Sequence, residues 1–182
     1  MLLALAGVTG IGKSYYKDKI VEKLGFEKIK IVTTRPPRIG EKNNEDKIFV
    51  TYHELQMLRN ENKIAYEFDM LGNIYAYTKE SLFNNKNTVF ELHYHTIFDF
   101  KKICPDTNVI YLLPRDIEIA KEQTRKRHLE PNVEMKRLLE IDEHYKKFLS
   151  DKNLQNMFDY IIYNDYNKAS EDTIINLVQT LI

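Results

Sequence analysis

Four residues near the start have the types and spacing of a phosphate cradle. Gly7, Gly12, Lys13 and Ser14 stand at G-x-x-x-x-G-K-[ST] within GVTGIGKS. Gly7, Gly10 and Gly12 let the main chain bend until several N–H groups converge on one anion. A following helix adds the positive end of its dipole. Lys13 would reach the β- and γ-phosphates, and the Ser14 hydroxyl would ligate Mg²⁺. The plain alternative is a glycine-bearing strand–helix turn, but the motif lies between the apolar run LLALA and a helical pattern, the context that a triphosphate site demands. A second cationic loop, TTRPPRIGE, occupies 33–41. Arg35 and Arg38 stand there on a stretch stiffened by Pro36 and Pro37, and guanidinium groups held that way suit a second phosphate. A solvated charged loop would have the same composition. His93 and His95 form an H-x-H that would share one face of a strand and can bind zinc, yet no Cys or further His lies nearby in sequence, so the ligand count falls short.

Hydrophobic spacing predicts the elements that must position these groups. Residues 2–6 are wholly apolar and suit a parallel strand buried on both faces. From 13 to 24 the spacing is helical through Tyr16, Ile20 and Leu24, and Gly25 marks the stop. A second strand is expected at 29–32, then a loop rich in Pro, Gly and charge. A strand at 48–50, a short helix over 52–60 and an antiparallel pair across 63–77, turning at Gly72-Asn73, follow. Strands at 88–92, 109–113 and 159–163, helices at 116–129 and 133–149 separated by Pro131, and a terminal helix near 174–181 complete the pattern. Alternation at both ends around a mixed insertion from about 33 to 87 predicts an α/β fold, with a parallel central sheet and one small subdomain.

Acidic and basic residues balance at 27 each. No global field draws such a chain to nucleic acid or to a membrane, so any anion site must be local. The lone Cys104 rules out an internal disulfide and suits a reducing compartment. The first residues carry no signal-peptide pattern and no apolar run could span a bilayer, so a soluble cytoplasmic chain is the expectation.

Taken together, GVTGIGKS and TTRPPRIGE make the order of features resemble the guanylate kinase family over nearly the whole chain. Further carriers are IFV at 48–50, GNIYAYT at 72–78, the helical stretch with Arg127 and Arg137, and IIYND at 161–165. The resemblance implies a P-loop kinase fold of three α/β/α layers: a core of 1–32 and 88–182, a monophosphate-binding insert of 33–87 and a helical lid at about 122–137. It implies Mg²⁺-dependent transfer of the ATP γ-phosphate to GMP or dGMP. Gly7, Thr9, Gly10, Ile11, Gly12, Lys13, Ser14 and Asn164 would bind ATP, with Ser14 on the metal. Arg35, Arg38 and Tyr75 would hold the monophosphate, and Lys47 stands where the family has another tyrosine. Lys13, Arg127 and Arg137 would neutralise the transferring phosphoryl group; Gln123 replaces a further lid arginine.

The base pocket departs from the family pattern. Ile31 stands for a serine, Tyr66 for a glutamate with Glu67 beside it, Tyr77 for a serine or threonine, and His93 for an aspartate, with Glu91 two residues earlier. Guanine presents N–H donors, and a site stripped of acceptors loses discrimination steeply. Tyr66 and Tyr77 would either stack on a base or fill a small core. Glu67 could replace the missing glutamate only if a bulge re-aims it. Glu91 could instead hold a metal-bound water. The altered pocket keeps open a related kinase with another nucleotide or a sugar phosphate as acceptor. A non-catalytic interaction module is opposed by the whole phosphate loop. Monomer and homodimer both remain open.

Overall fold

The computed structural model describes residues 1–37, 40–70 and 72–182. The chain opens with β1 (Leu2–Gly7) and α1 (Lys13–Leu24), followed by β2 (Glu27–Lys28), β3 (Ile31–Thr33) and β4 (Lys47–Phe49). Next come α2 (Tyr52–Asn60), β5 (Ile64–Met70), β6 (Asn73–Thr78) and α3 (Lys79–Leu82). β7 (Thr88–Glu91) leads through a 3₁₀ turn (Tyr94–Thr96) into α4 (Ile97–Ile103) and β8 (Asn108–Leu113). The remainder is α5 (Ile117–Arg125), α6 (Pro131–Ser150), α7 (Lys152–Gln155), β9 (Tyr160–Tyr163) and α8 (Lys168–Thr180).

β1 sits at the centre of a five-stranded parallel sheet of order β2-β7-β1-β8-β9. Its period of two sends Leu3 and Leu5 to one face and Ala4 and Ala6 to the other. The leucine face packs on Ile20 of α1, Ala120 of α5, Ile141 of α6 and Ile174 of α8. The alanine face packs on Phe100 of α4, Phe148 of α6 and Tyr77 of β6. Helices on both faces give the expected three-layer α/β/α architecture. A second sheet, β4-β3-β6-β5, pairs β3 with β4 in parallel and is otherwise antiparallel. It has its own small core of Val32, Leu55 and Ala76.

The strand expected at 29–32 is divided between the two sheets. Ile29 N–H donates to Val89 on the parallel sheet, whereas Ile31 N–H donates to Asp46 and starts β3. The second sheet therefore begins at Ile31, just before the expected insert boundary. Pro131, expected to separate two helices, is the first residue of α6, where its missing N–H costs nothing. Helices α3, α4 and α7 are additional to the expected set.

Two glycines fix the phosphate loop against its surroundings. A Cβ at Gly7 would lie 2.5 Å from the Leu112 carbonyl oxygen, and one at Gly10 would lie 2.2 Å from that of Ala120. Both residues also have positive φ, so a side chain is excluded twice over. The loop opens at the carboxyl end of the parallel strands, where ligands of such sheets bind. Among the described residues, no helix is long and apolar enough to cross a membrane.

The C-terminal half of α6 is fixed to the sheet by a ring stack. Phe148 is 2% exposed, and its ring lies 3.8 Å from that of Tyr111 at an interplanar angle of 2°. Phe148→Ala should lower the unfolding free energy by about 3–5 kcal/mol. Urea denaturation reads this directly; a loss below about 1 kcal/mol would show that α6 is anchored elsewhere.

Candidate active site

α1 starts at Gly12 with no side-chain cap, unlike α2, where Thr51 and Glu54 form a complete capping box. The first N–H groups of α1 are therefore left for an anion. The loop's outward carbonyls are tied off instead. Asn164 Nδ2 donates to the Ile11 oxygen at 2.7 Å, and the Tyr166 hydroxyl donates to Gly10 at 3.1 Å. The Asn164 side-chain oxygen accepts from the Tyr16 hydroxyl at 2.5 Å and from the Tyr166 N–H at 2.8 Å. Asn164 is 1% exposed, and its amide ties the Ile11 carbonyl of the loop to Tyr16 and Tyr166, so it braces the cradle. Ile11 contributes main chain only; its side chain is buried under β1.

Lys13 Nζ donates to the Gly7 and Val8 carbonyls, both at 2.9 Å. Burial pushes its pKa down to about 8; Arg127 and Arg137 push the same way, and Glu91 opposes them. Ser14 Oγ donates to Glu91 Oε1 at 2.8 Å, and Lys17 Nζ lies 3.2 Å from the same oxygen. Burial alone would raise the Glu91 pKa, but Lys17, Lys13 and Ser14 outweigh it and hold the carboxyl below its usual value. Glu91 thus faces the phosphate loop.

Across the cleft, Arg35 Nη2 donates to both carboxylate oxygens of Glu41 at 2.9 and 2.7 Å, and Lys47 Nζ lies 3.4 Å from Glu41. Thr33 and Thr34 fix this loop by hydrogen bonds to the Ile74 main chain. Tyr75 lines the cleft and stacks on Phe68 at 5.5 Å. Arg38 lies outside the described residues. Gln123, Arg127 and Arg137 line the third side, and Arg137 donates to Glu140 at 2.6 Å. Burial opposes ionisation of Glu140, but His93 and Arg137 bring its pKa down to about 2. One cleft of about 1010 Å³ joins the phosphate loop, the Arg35 loop and the lid arginines.

The base-pocket candidates divide. Tyr77 is 1% exposed and donates to the Glu91 main-chain oxygen at 2.7 Å. Although it touches the cleft wall, its hydroxyl is committed to that bond. Tyr66 packs edge-on against Phe100 at 5.4 Å, away from the cleft, so the core-filling alternative holds for it. The bulge in β5 falls between Ile64 and Tyr66 and does not re-aim Glu67, which faces outward and pairs with Arg59 at 2.8 and 3.0 Å. His93 does line the cleft. Sequence reasoning missed Ile29, Phe68 and Met70, which with Ile31 make an apolar wall. Their signal was the alternation in β5, which puts Phe68 and Met70 on the face of Tyr75. It also missed Lys17, whose ammonium bridges Glu91 and Asp46, each at 3.2 Å.

A protein-family model for guanylate kinase matches residues 1–181. The guanylate kinase of Bacillus subtilis is 26% identical over 184 residues, covering 98% of this chain and 87% of that protein. That of Lactobacillus delbrueckii subsp. bulgaricus is 31% identical over 136 residues, covering 71% of this chain and 67% of the other. Among solved structures, a guanylate kinase from Anaplasma phagocytophilum superposes with a TM-score of 0.74 at 21% identity, covering all of this chain and 85% of that one.

Asn164→Leu should leave the Ile11 oxygen and the Tyr16 hydroxyl without their partner. The expected cost is about 1–3 kcal/mol of stability for each group that stays buried and unsatisfied. Chemical denaturation of the purified variant measures it, and unchanged stability would remove Asn164 as the clamp.

Proposed function

Because the chain belongs to the guanylate kinase family, we propose that it transfers the γ-phosphate of ATP to GMP or dGMP, giving ADP and the nucleoside diphosphate. One observation carries the assignment of roles: the main-chain cradle with Lys13 and the cationic loop with Arg35 and Lys47 line the same cleft. ATP would lie on Gly7–Ser14, its β- and γ-phosphates against Lys13 and the uncapped start of α1. The acceptor phosphate would take the place of Glu41 on Arg35 and Lys47, with Tyr75 as a further hydroxyl donor. Arg127 and Arg137 would close from the lid. A phosphate oxygen is already a nucleophile, so the side chains are asked for positioning and charge neutralisation. Closing the lid on the cleft excludes water, which would otherwise hydrolyse ATP.

Ser14 Oγ and the ionised Glu91 carboxylate offer an oxygen donor set that fits Mg²⁺, an ion that keeps several waters and needs few protein ligands. The chemistry Mg²⁺ would supply there is to offset the charge of the phosphates. Ser14 would ligate it, and Glu91 would hold one of its waters.

The base would rest on Ile29, Ile31, Phe68 and Met70. This apolar wall favours a second reading, a different phosphorylated acceptor, so an acceptor panel is the test. With ATP and Mg²⁺, GMP or dGMP should outperform AMP, CMP, UMP, dTMP and sugar phosphates. A clear preference for any other acceptor would replace the guanylate assignment. Lys13→Ala should fold normally and turn over at least about a hundredfold more slowly; near-normal turnover would remove the phosphate role.

Lys13 also sets a pH dependence. The free protein loses the Lys13 proton above about pH 8, whereas a bound triphosphate would retain it. ATP binding then takes up a proton, and affinity falls as pH rises. From pH 7 to 9 the expected loss is about tenfold, absent in Lys13→Met. Calorimetric titration reads it, and a flat profile would place the ammonium away from the phosphates.

A further inference from the structure

Where α6 passes the end of β7, three imidazoles and a carboxylate converge. His93 follows β7, and His95 sits in the 3₁₀ turn. Glu140 and His144 are successive-turn neighbours on α6. His93 Nε2 lies 3.8 Å and His144 Nε2 lies 3.9 Å from Glu140 Oε1, and all three ligand atoms lie within 4.8 Å of one another. We propose that His93, Glu140 and His144 form a binding site for one divalent transition-metal ion of the zinc type.

Bonds of about 2.0–2.2 Å in tetrahedral array put ligand atoms about 3.3–3.6 Å apart. The observed separations close to that by small side-chain rotations. His95 Nε2 and His144 Nε2 share a hydrogen bond of 3.3 Å, which the ion would displace, and water would complete its coordination. Glu140 is already oriented as a ligand, because its Oε2 accepts from Arg137 at 2.6 Å and leaves Oε1 toward the imidazoles. Outer hydrogen bonds of this kind hold ligating carboxylates in place. The donor set selects against Mg²⁺, which prefers oxygen ligands, and for ions that favour imidazole. The phosphoryl-transfer chemistry above uses none of these imidazoles. The sequence shows only the H-x-H; folding supplies the remaining ligands from α6, far along the chain. The expected strand face is itself corrected, because β7 ends at Glu91 and the histidines lie on the turn beyond it.

The test is titration of the chelator-stripped full-length protein with Co²⁺, followed by displacement with Zn²⁺. One equivalent should bind with the intense visible absorption of a four- or five-coordinate nitrogen–oxygen site, and Zn²⁺ should abolish it and raise the melting temperature. His144→Ala and His93→Asn should each weaken Co²⁺ binding at least about a hundredfold, more than loss of an outer contact would. His53→Ala, an exposed histidine on α2, should bind as the parent does. His144 is buried, so His93→Asn, on the cleft rim, keeps the test decisive if His144→Ala fails to fold. Weak absorption of an octahedral aquo-type ion, or binding that His93→Asn leaves unchanged, would overturn the site and reduce the cluster to packed imidazoles.

Discussion

Glu91 ends β7 inside the cleft, and its charge dictates what must surround it. Burial disfavours the ionised carboxylate, so it persists only because Lys17, Lys13 and Ser14 meet it. Lys17 in turn reaches Asp46, just before β4 in the second sheet, and Asp46 also takes Lys28 from β2. A single chain of alternating charges thus runs from the phosphate loop, through the parallel sheet, to the segment that carries Lys47. The donor side and the acceptor side are joined by the aromatic contacts of Tyr66 and Tyr77 with Phe90 and Phe100, and at the base of the cleft by these ion pairs as well. Such pairs tolerate small displacements that close packing does not, which suits two parts that must approach around a substrate.

The same arrangement explains how a chain with no net charge presents a site for two polyanions. Several cations in the cleft are already matched: Arg35 and Lys47 with Glu41, Lys17 with Glu91 and Asp46, Arg137 with Glu140. At Arg35 and Lys47 a phosphate would exchange one anion for another instead of meeting bare charge. The arginines are held in position by carboxylates of similar geometry, so little ordering is left for the substrate to impose. This trade lowers the gross attraction of the site but gives it shape.

Much of the donor side is legible in the sequence because main-chain bending leaves a chemical trace. Gly7 and Gly10 are glycine for lack of space, and their spacing alone reveals them. The acceptor loop is legible through Arg35 and its prolines for a similar reason. The apolar wall is not. Tyr66, Phe68 and Met70 lie on one face of β5, and alternation alone says only that they share it. Which of them meets the cleft depends on where α4 ends the covered stretch: Phe100 caps Tyr66, whereas Phe68 lines the cleft. α4 itself is short and offers only Ile97 and Phe100 as buried positions, too few to establish a period. Residue types are thus readable where the backbone forces them, and unreadable where a distant element decides what is covered.

α6 concentrates these distant decisions. Its C-terminal half is clamped by the Tyr111–Phe148 stack, and its first turn starts at Pro131. Between them Glu140 touches both worlds, with one oxygen on Arg137 and the other facing His93 and His144. A carboxylate cannot serve two partners independently: charge drawn to one oxygen weakens what the other offers. Any ion or proton taken up among the imidazoles therefore acts on Arg137, and any phosphate drawn to Arg137 acts on the imidazoles. With the Tyr111–Phe148 stack holding the C-terminal half, such an exchange would be expressed at the Arg137 end of the helix.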